Sequence, residues 1–270
     1  MEESFEDDND YYNNTAVYVV DQILGPYKTI NEAIEKADNN SVIKISPGLY
    51  TENIKIKNKS LRLEPKDKIS DVIIVVNGGP VFYIENTLDQ KVTIQNFKIS
   101  HTAISDDMEN IQKFDEKREI VMGTFMSSNQ PAMASDPDDP KSSFAITCPI
   151  EKNMNTLVLL QSGRMTLRDC VLSLHFLQRS TETPLPAIIL NKGTESNLEN
   201  LDIKGNQMNP TVGIIVRQCD TVIKECKINK HLKGGILIYG DDKPAIKIHN
   251  CKFSKNSTAN IEVTGKKFLF

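Results

Sequence analysis

Self-similarity at a fixed period restricts what a chain can fold into more than any other property of its sequence, and this sequence repeats. Five segments align without gaps: VTIQNFKI (92–99), MTLRDCVL (165–172), SNLENLDI (196–203), TVIKECKI (221–228) and IKIHNCKF (246–253). Each carries an apolar residue third, sixth and eighth, with Asn, Asp or Glu fifth. The third position falls at Ile94, Leu167, Leu198, Ile223 and Ile248, which lie 73, 31, 25 and 25 residues apart. A second series of four-residue apolar runs interleaves with the first: VFYI at 81–84, LVLL at 157–160, AIIL at 187–190, GIIV at 213–216, GILI at 235–238 and NIEV at 260–263. Runs this short are strands and not helices. Two strand series advancing together predict an all-β fold, a right-handed parallel β-helix. In such a solenoid each coil is too small to bury its own apolar face and must stack on its neighbours. With strands of adjacent coils about 4.8 Å apart, about seven coils give a rod roughly 35 Å long.

Stacking predicts ladders. The sixth position sets Phe97, Cys170, Leu201, Cys226 and Cys251 one above another in the interior, and the fifth sets Asn96, Asp169, Asn200, Glu225 and Asn250 at the tight turn between strands, a place Asn and Asp tolerate. The five cysteines, Cys148 included, form no CxxC pair, and an odd number fits reduced thiols filling small core sites. The open end of a solenoid needs a cover. Thr29-Ile30-Asn31-Glu32 is a capping box, followed by Ala33, Ile34 and Ala37 at helical spacing, so a short amphipathic helix is expected to plug the first coil. After it, VIKISPG (42–48), NIKI (53–56) and LRL (61–63) read as the three strands of coil one, with VIIVV (72–76) opening coil two.

These elements divide the chain into an acidic disordered tail (1–15), an N-terminal strand and capping helix (16–40), and the β-helix (41–270) with a long acidic insertion at 101–143 that accounts for the spacing of 73. Residues 1–10 hold six acids and no base, and residues 105–141 hold nine acids against four bases. The remainder, 28 bases against 21 acids, is mildly basic and suits an acidic partner. With Trp absent and aromatics at 6%, the core must be built from Ile, Val and Leu. No apolar run approaches the roughly 18 residues of a membrane span, and MEESFEDDND is no secretory leader, so the expectation is a soluble, cytoplasmic protein without a membrane partner.

The segment GPYKTINEAIEKADNNSVIKISPGLYTENIKIKNKSLRL (25–63) resembles the amino-terminal region of the pectin-lyase-like superfamily, through its TI-x-x-AI helix, its I-x-I-x-PG-x-Y turn and its E-x-I-x-I strand. The resemblance implies the parallel β-helix. It leaves the activity open, because the superfamily holds polysaccharide lyases, esterases and hydrolases beside intracellular non-enzymes such as F-box β-helix proteins and proteins resembling the SHC SH2-domain-binding protein. A short acidic-tailed chain looks more like the second group.

Catalytic constellations are sparse. The aspartate pair, glutamine-aspartate strand and arginine by which pectinesterases resemble one another have no counterpart motif, the nearest fragment being Gln218-Cys219-Asp220-Thr221 in an expected turn. Asp241 and Asp242 with His249 could divide acid and base roles, but Gly240-Asp241-Asp242-Lys243-Pro244 is ordinary turn chemistry. Asp106, Asp107 and Glu109, or Asp136, Asp138 and Asp139, offer calcium-type oxygens only within the insertion. His101, His175 and His231 stand without ligand-spaced partners, and Gly78-Gly79 and Gly234-Gly235 precede strands as solenoid turns do.

No catalytic, cofactor or metal residue is therefore assigned, and the expectation is a non-catalytic scaffold for protein–protein interaction, in a cytoskeletal or ciliary assembly, with no nucleic acid. The alternative is a carbohydrate-active enzyme of the pectin-lyase-like group, favoured by a groove with aromatics and paired carboxylates along one sheet. The partner-facing candidates are Lys98, Lys227 and Lys252 in one outward column, Lys230 over Lys255, and the apolar end Phe268-Leu269-Phe270.

Overall fold

Three columns of strands, all paired in parallel, make up most of the described part of a computed structural model, residues 15–67, 71–76, 79–101, 155–174, 185–206, 209–239, 244–257 and 259–264. The front column stacks Ile54–Lys57, Phe82–Glu85, Val158–Ser162, the opening of Leu185–Glu199, the opening of Thr211–Lys224, Gly234–Tyr239 and Ile261–Thr264. The middle column stacks Val17–Val20, Ser41–Ile45, Leu61–Pro65, Lys91–Gln95, Arg164–Arg168, the closing parts of the same two long strands, and Ile246–His249. The third column stacks Gly48–Tyr50, Val72–Val76, Phe97–His101, Val171–Ser173, Asp202–Lys204, Lys227–Asn229 and Lys252–Ser254. This is a right-handed parallel β-helix.

The register is the one the repeats predict: Ile94 pairs with Leu167, Leu167 with Leu198, Leu198 with Ile223, and Ile223 with Ile248. Between the middle and third strands of each of these coils one residue sits at positive φ, Asn96 (63°), Asp169 (55°), Asn200 (49°), Glu225 (57°) and Asn250 (52°). Asn and Asp occupy that left-handed region at least cost. The turn then aims the next side chain inward, and Phe97, Cys170, Leu201 and Cys226 are buried as expected. Burial pushes the thiols of Cys170 and Cys226 up to about 12, which keeps them protonated.

Two expectations need correction. Ser41–Ile45 and Leu61–Pro65 are not neighbours within one coil but lie one above the other in adjacent coils, Ile43 on Leu63. The helix Ile30–Lys36 precedes Ser41–Ile45 and packs against Ile54–Lys57, so it takes the front place of its coil; the first complete coil begins at Ile54, and Val72–Val76 closes it. The helix itself forms as predicted. The Thr29 hydroxyl accepts from Glu32 N, Glu32 accepts from Thr29 N, and the Glu52 carboxylate accepts from Ile30 N (2.6 Å) and Asn31 N (3.0 Å). The second correction concerns Gln218–Thr221, which is no turn but lies inside the continuous strand Thr211–Lys224.

Close approach rather than dihedral freedom explains Gly213 and Gly235 on the front column. A Cβ on Gly213 would lie 2.4 Å from Gly235 O, and one on Gly235 would lie 2.5 Å from Asn260 O. Toward the last described coil the packing thins: Ile248, Cys251 and Phe253 are only partly buried and Ile261 is 42% exposed, since no described residue stacks on their far side. Cys251 thus departs from the buried ladder expected of it.

Two measurements check this account. Ile223→Asp places an unpaired charge at a fully buried ladder position and is expected to cost several kcal/mol, about 3 or more, in denaturant unfolding, with Ile261→Asp costing less than about 1. Burial holds the imidazoles of His101 and His231 down to about 4, from an ordinary 6.5. The folded chain leaves both neutral in that interval while the unfolded chain protonates them. Stability is accordingly full above about pH 6.5 and declines as pH falls toward 4, by about 3 kcal/mol for each histidine. His231→Gln is expected to flatten part of that decline.

Candidate functional site

Residues that alternate with the core-facing ones on the front column point outward, yet part of that outer face is as dry as the interior. Tyr83 stacks on Leu159, Leu159 on Ile189, Ile189 on Ile215 and Ile215 on Leu237, and each is 0–5% exposed. Lys55 precedes this apolar row and Glu262 follows it. Burial on both faces was signalled by the uninterrupted runs LVLL, AIIL, GIIV and GILI, since a half-buried strand alternates and a doubly buried one does not. The same runs also mark the successive coils, and that regular recurrence conceals the second ladder.

Two residues further along the same strands a polar row runs parallel to it: Lys57, Glu85, Gln161, Asn191, Arg217 and Tyr239. Lys57 pairs with Glu85 and Tyr239 with Thr264 across the ladder, while the neighbouring pairs Leu190–Val216 and Val216–Ile238 set Asn191, Arg217 and Tyr239 in adjacent coils. The ladder partner of Glu85 is Ser162, because Gln161 sits at a bulge between Leu160 and Ser162, and the Asn191 amide donates to Gln161 Oε1 at 2.8 Å. The Asn191 Oδ1 atom is buried without a hydrogen-bond partner. The side chains are half-buried, which makes this row the accessible chemistry of the front face.

Its single carboxylate among the described residues, Glu85, is fixed from two sides. Lys57 Nζ lies 2.5 Å from Glu85 Oε2, and the Tyr83 hydroxyl donates to the same oxygen at 3.0 Å. Burial opposes ionisation of Glu85, but the hydrogen bonds from Lys57 and Tyr83 and the ammonium charge outweigh it, holding the carboxyl below its usual range. The Lys57 ammonium also lies 5.6 Å from the Tyr83 ring centre. Desolvation, with the carboxylate beside it, raises the Tyr83 phenol. Glu85 is thus an ionised acceptor or base, unsuited to serve as a proton donor near neutrality.

The middle column carries a different outer row, Glu64, Gln95, Arg168, Glu199, Lys224 and His249, tied to itself. Arg62 Nε meets Glu64 at 2.8 Å, Gln95 donates to Glu64 at 2.7 Å, Arg168 donates to Gln95 at 2.7 Å and Lys224 donates to Glu199 at 3.1 Å. His249, weighed with Asp241 and Asp242 as a hydrolytic set, is exposed there, and those two aspartates lie outside the described residues.

The lysine candidates fall on the third column in the predicted register. Lys98 and Lys252 belong to one outward file, Lys98, Val171, Asp202, Lys227, Lys252, but Val171 and Asp202 separate Lys98 from the other two. Lys98 also lies 2.5 Å from Asp71. Lys230 and Lys255 occupy successive coils at positive φ, 62° and 56°. Phe268, Leu269 and Phe270, residues 1–14 of the acidic tail, and residues 102–143 of the insertion lie outside the described residues, as do residues 144–154 after it. Among those described, no group of three or more His, Cys, Asp or Glu could hold a metal ion, and no helix is long and apolar enough to cross a membrane.

The family model described as "Right handed beta helix region" matches residues 139–269. No curated protein matches the sequence. Two solved structures match with 84% of this chain covered and 66% of theirs: a pectin methylesterase mutant in complex with a hexasaccharide (14% identity, TM-score 0.42) and a pectin methylesterase in complex with another hexasaccharide (15% identity, TM-score 0.40). The chain therefore spans about two thirds of the length of those proteins. The expectation that it is not an enzyme is corrected by this finding, because the solved structures it matches are pectin methylesterases. The expectation rested on missing motifs, and a solenoid can assemble a site from single residues on successive coils, which leaves no contiguous motif to find.

Proposed function

We propose that this β-helix is a carbohydrate-active enzyme that takes a linear glycan along its front face. The observation that carries the reading is the polar row Lys57, Glu85, Gln161, Asn191, Arg217 and Tyr239, rising one residue per coil beside a dry apolar row. A glycan chain presents alternating hydroxyls and apolar ring faces, and the row answers with a carboxylate, two amides, a guanidinium and a phenol at the strand spacing of about 4.8 Å. Asn191 Oδ1, a buried acceptor with no partner, favours a donor such as a sugar hydroxyl arriving there.

The chemistry supported best is ester hydrolysis. Glycosidic cleavage by the usual route needs two carboxylates flanking one bond, and Glu85 is the only carboxylate of this row among the described residues. Acyl transfer needs one base or nucleophile and donors for the oxyanion. An ionised Glu85 fills the first role, and the amides of Gln161 and Asn191 with Arg217 fill the second. Lys57 keeps Glu85 ionised.

The test is proton release in a pH-stat from methyl-esterified polyuronate and from an acetylated glycan. Glu85→Gln is expected to lower the rate at least about 100-fold with the circular dichroism unchanged, and Tyr239→Ala to raise KM with little effect on kcat. No acid released from either substrate, or full activity in Glu85→Gln, would overturn the reading.

A further inference from the structure

On the middle column the chain shows how it treats charge in an outer row, setting opposite or hydrogen-bonding groups over one another: Glu64 with Gln95, Gln95 with Arg168, Glu199 with Lys224. The third column does the reverse over its last described coils. Lys227 stands directly over Lys252 in register, and Lys230 and Lys255 follow three residues along on the same two coils, all four exposed. Lys204 adds a fifth ammonium one coil before, next to the file of Asp202. Asp202 is the one carboxylate among these positions, and it is engaged by Lys204 at 2.8 Å and by Asn229 at 3.4 Å.

Like charges directly opposite one another in a ladder are destabilising. Lys230 and Lys255 add a second cost. Each holds a left-handed backbone conformation, which elsewhere falls to Asn or Asp at Asn96, Asp169, Asn200 and Asn250 and to glutamate at Glu195 and Glu225, and that conformation is uncommon for a long side chain. Folding therefore gains nothing from lysine at these sites, whereas an anionic partner would.

We infer that this lysine grid on the third face is a docking surface for the acidic face of an α-helical protein segment lying along the solenoid axis. The periods decide among the anionic polymers. Coils rise by about 4.8 Å. Carboxylates on one face of a helix recur at i, i+3 and i+4, rising about 4.5 and 6.0 Å, and so bracket the spacing of lysines one coil apart. An extended acidic peptide presents same-side groups only every 6.8 Å or so, which falls out of step with the coils. The surface is separate from the front-face polar row, so the two functions stand or fall independently.

Fluorescence anisotropy with the full chain tests this, using a labelled helical peptide bearing Glu at i, i+3 and i+4 and a second peptide of the same charge in which proline prevents the helix. The helical peptide is expected to bind with an affinity that weakens as salt rises. Lys227→Glu/Lys252→Glu and Lys230→Glu/Lys255→Glu should each weaken it at least tenfold, with unchanged circular dichroism. Lys36→Glu/Lys66→Glu makes the same change in net charge elsewhere and should leave binding as it was. The inference is overturned by equal loss in the Lys36/Lys66 variant, by equal affinity for the proline-containing peptide, or by heparin binding more tightly than the helical peptide and losing affinity in the same lysine variants. Intact Glu85-dependent activity in the lysine variants would separate a failure here from a failure of the front-face reading.

Discussion

Everything in this molecule depends on the in-register parallel stacking of one coil on the next. A coil of this size has no interior of its own. Ile94, Leu167, Leu198 and Ile223 are dry because each lies between two equivalents, and Ile248 and Ile261, with a described neighbour on one side only, are not. The left-handed residue between the middle and third strands is what lets the register hold, since it turns the chain sharply enough for Phe97, Cys170 and Cys226 to meet in one file. Stability in such a rod is a sum of neighbour terms. An interior charge is then felt by the coils on both sides of it.

Stacking also governs the exterior. Any outward residue becomes part of a row, so the surface is written in columns, and each column has its own character: dry and apolar beside polar and half-buried on the front, self-neutralised on the middle, cationic on the later part of the third. A set of groups that would require a folded loop in another architecture is gathered here by placing one residue on each of several coils. Glu85, Gln161, Asn191 and Arg217 come together in this way although 132 residues separate the first from the last.

That arrangement explains what the sequence disclosed. Fold and register were legible because the third, sixth and eighth positions repeat against a fixed period, and the turn was legible from its Asn and Asp. The phase of the first coil was not, because the capping helix replaces a front strand and leaves SVIKI and LRLEP looking like partners in one coil when they are equivalents in two. The candidate site was hidden for a related reason. Each of its residues is an unremarkable polar one after an apolar run, Glu85 after VFYI, Gln161 after LVLL, Asn191 after AIIL and Arg217 after GIIV. Only the column view makes that recurrence a candidate site. The lysine files could be aligned from sequence, but the salt bridge of Lys98 to Asp71 and the intrusion of Val171 and Asp202 needed coordinates.

The close approach of Gly213 to the carbonyl of Gly235, and of Gly235 to that of Asn260, couples the later coils to one another. Where backbone meets backbone this closely, neither glycine can accept a side chain unless the coil beside it shifts as well. The same ladder position carries Ala187, Leu157 and Val81 in the preceding coils, so the demand for glycine belongs to the close spacing of these later coils and not to the coil as such.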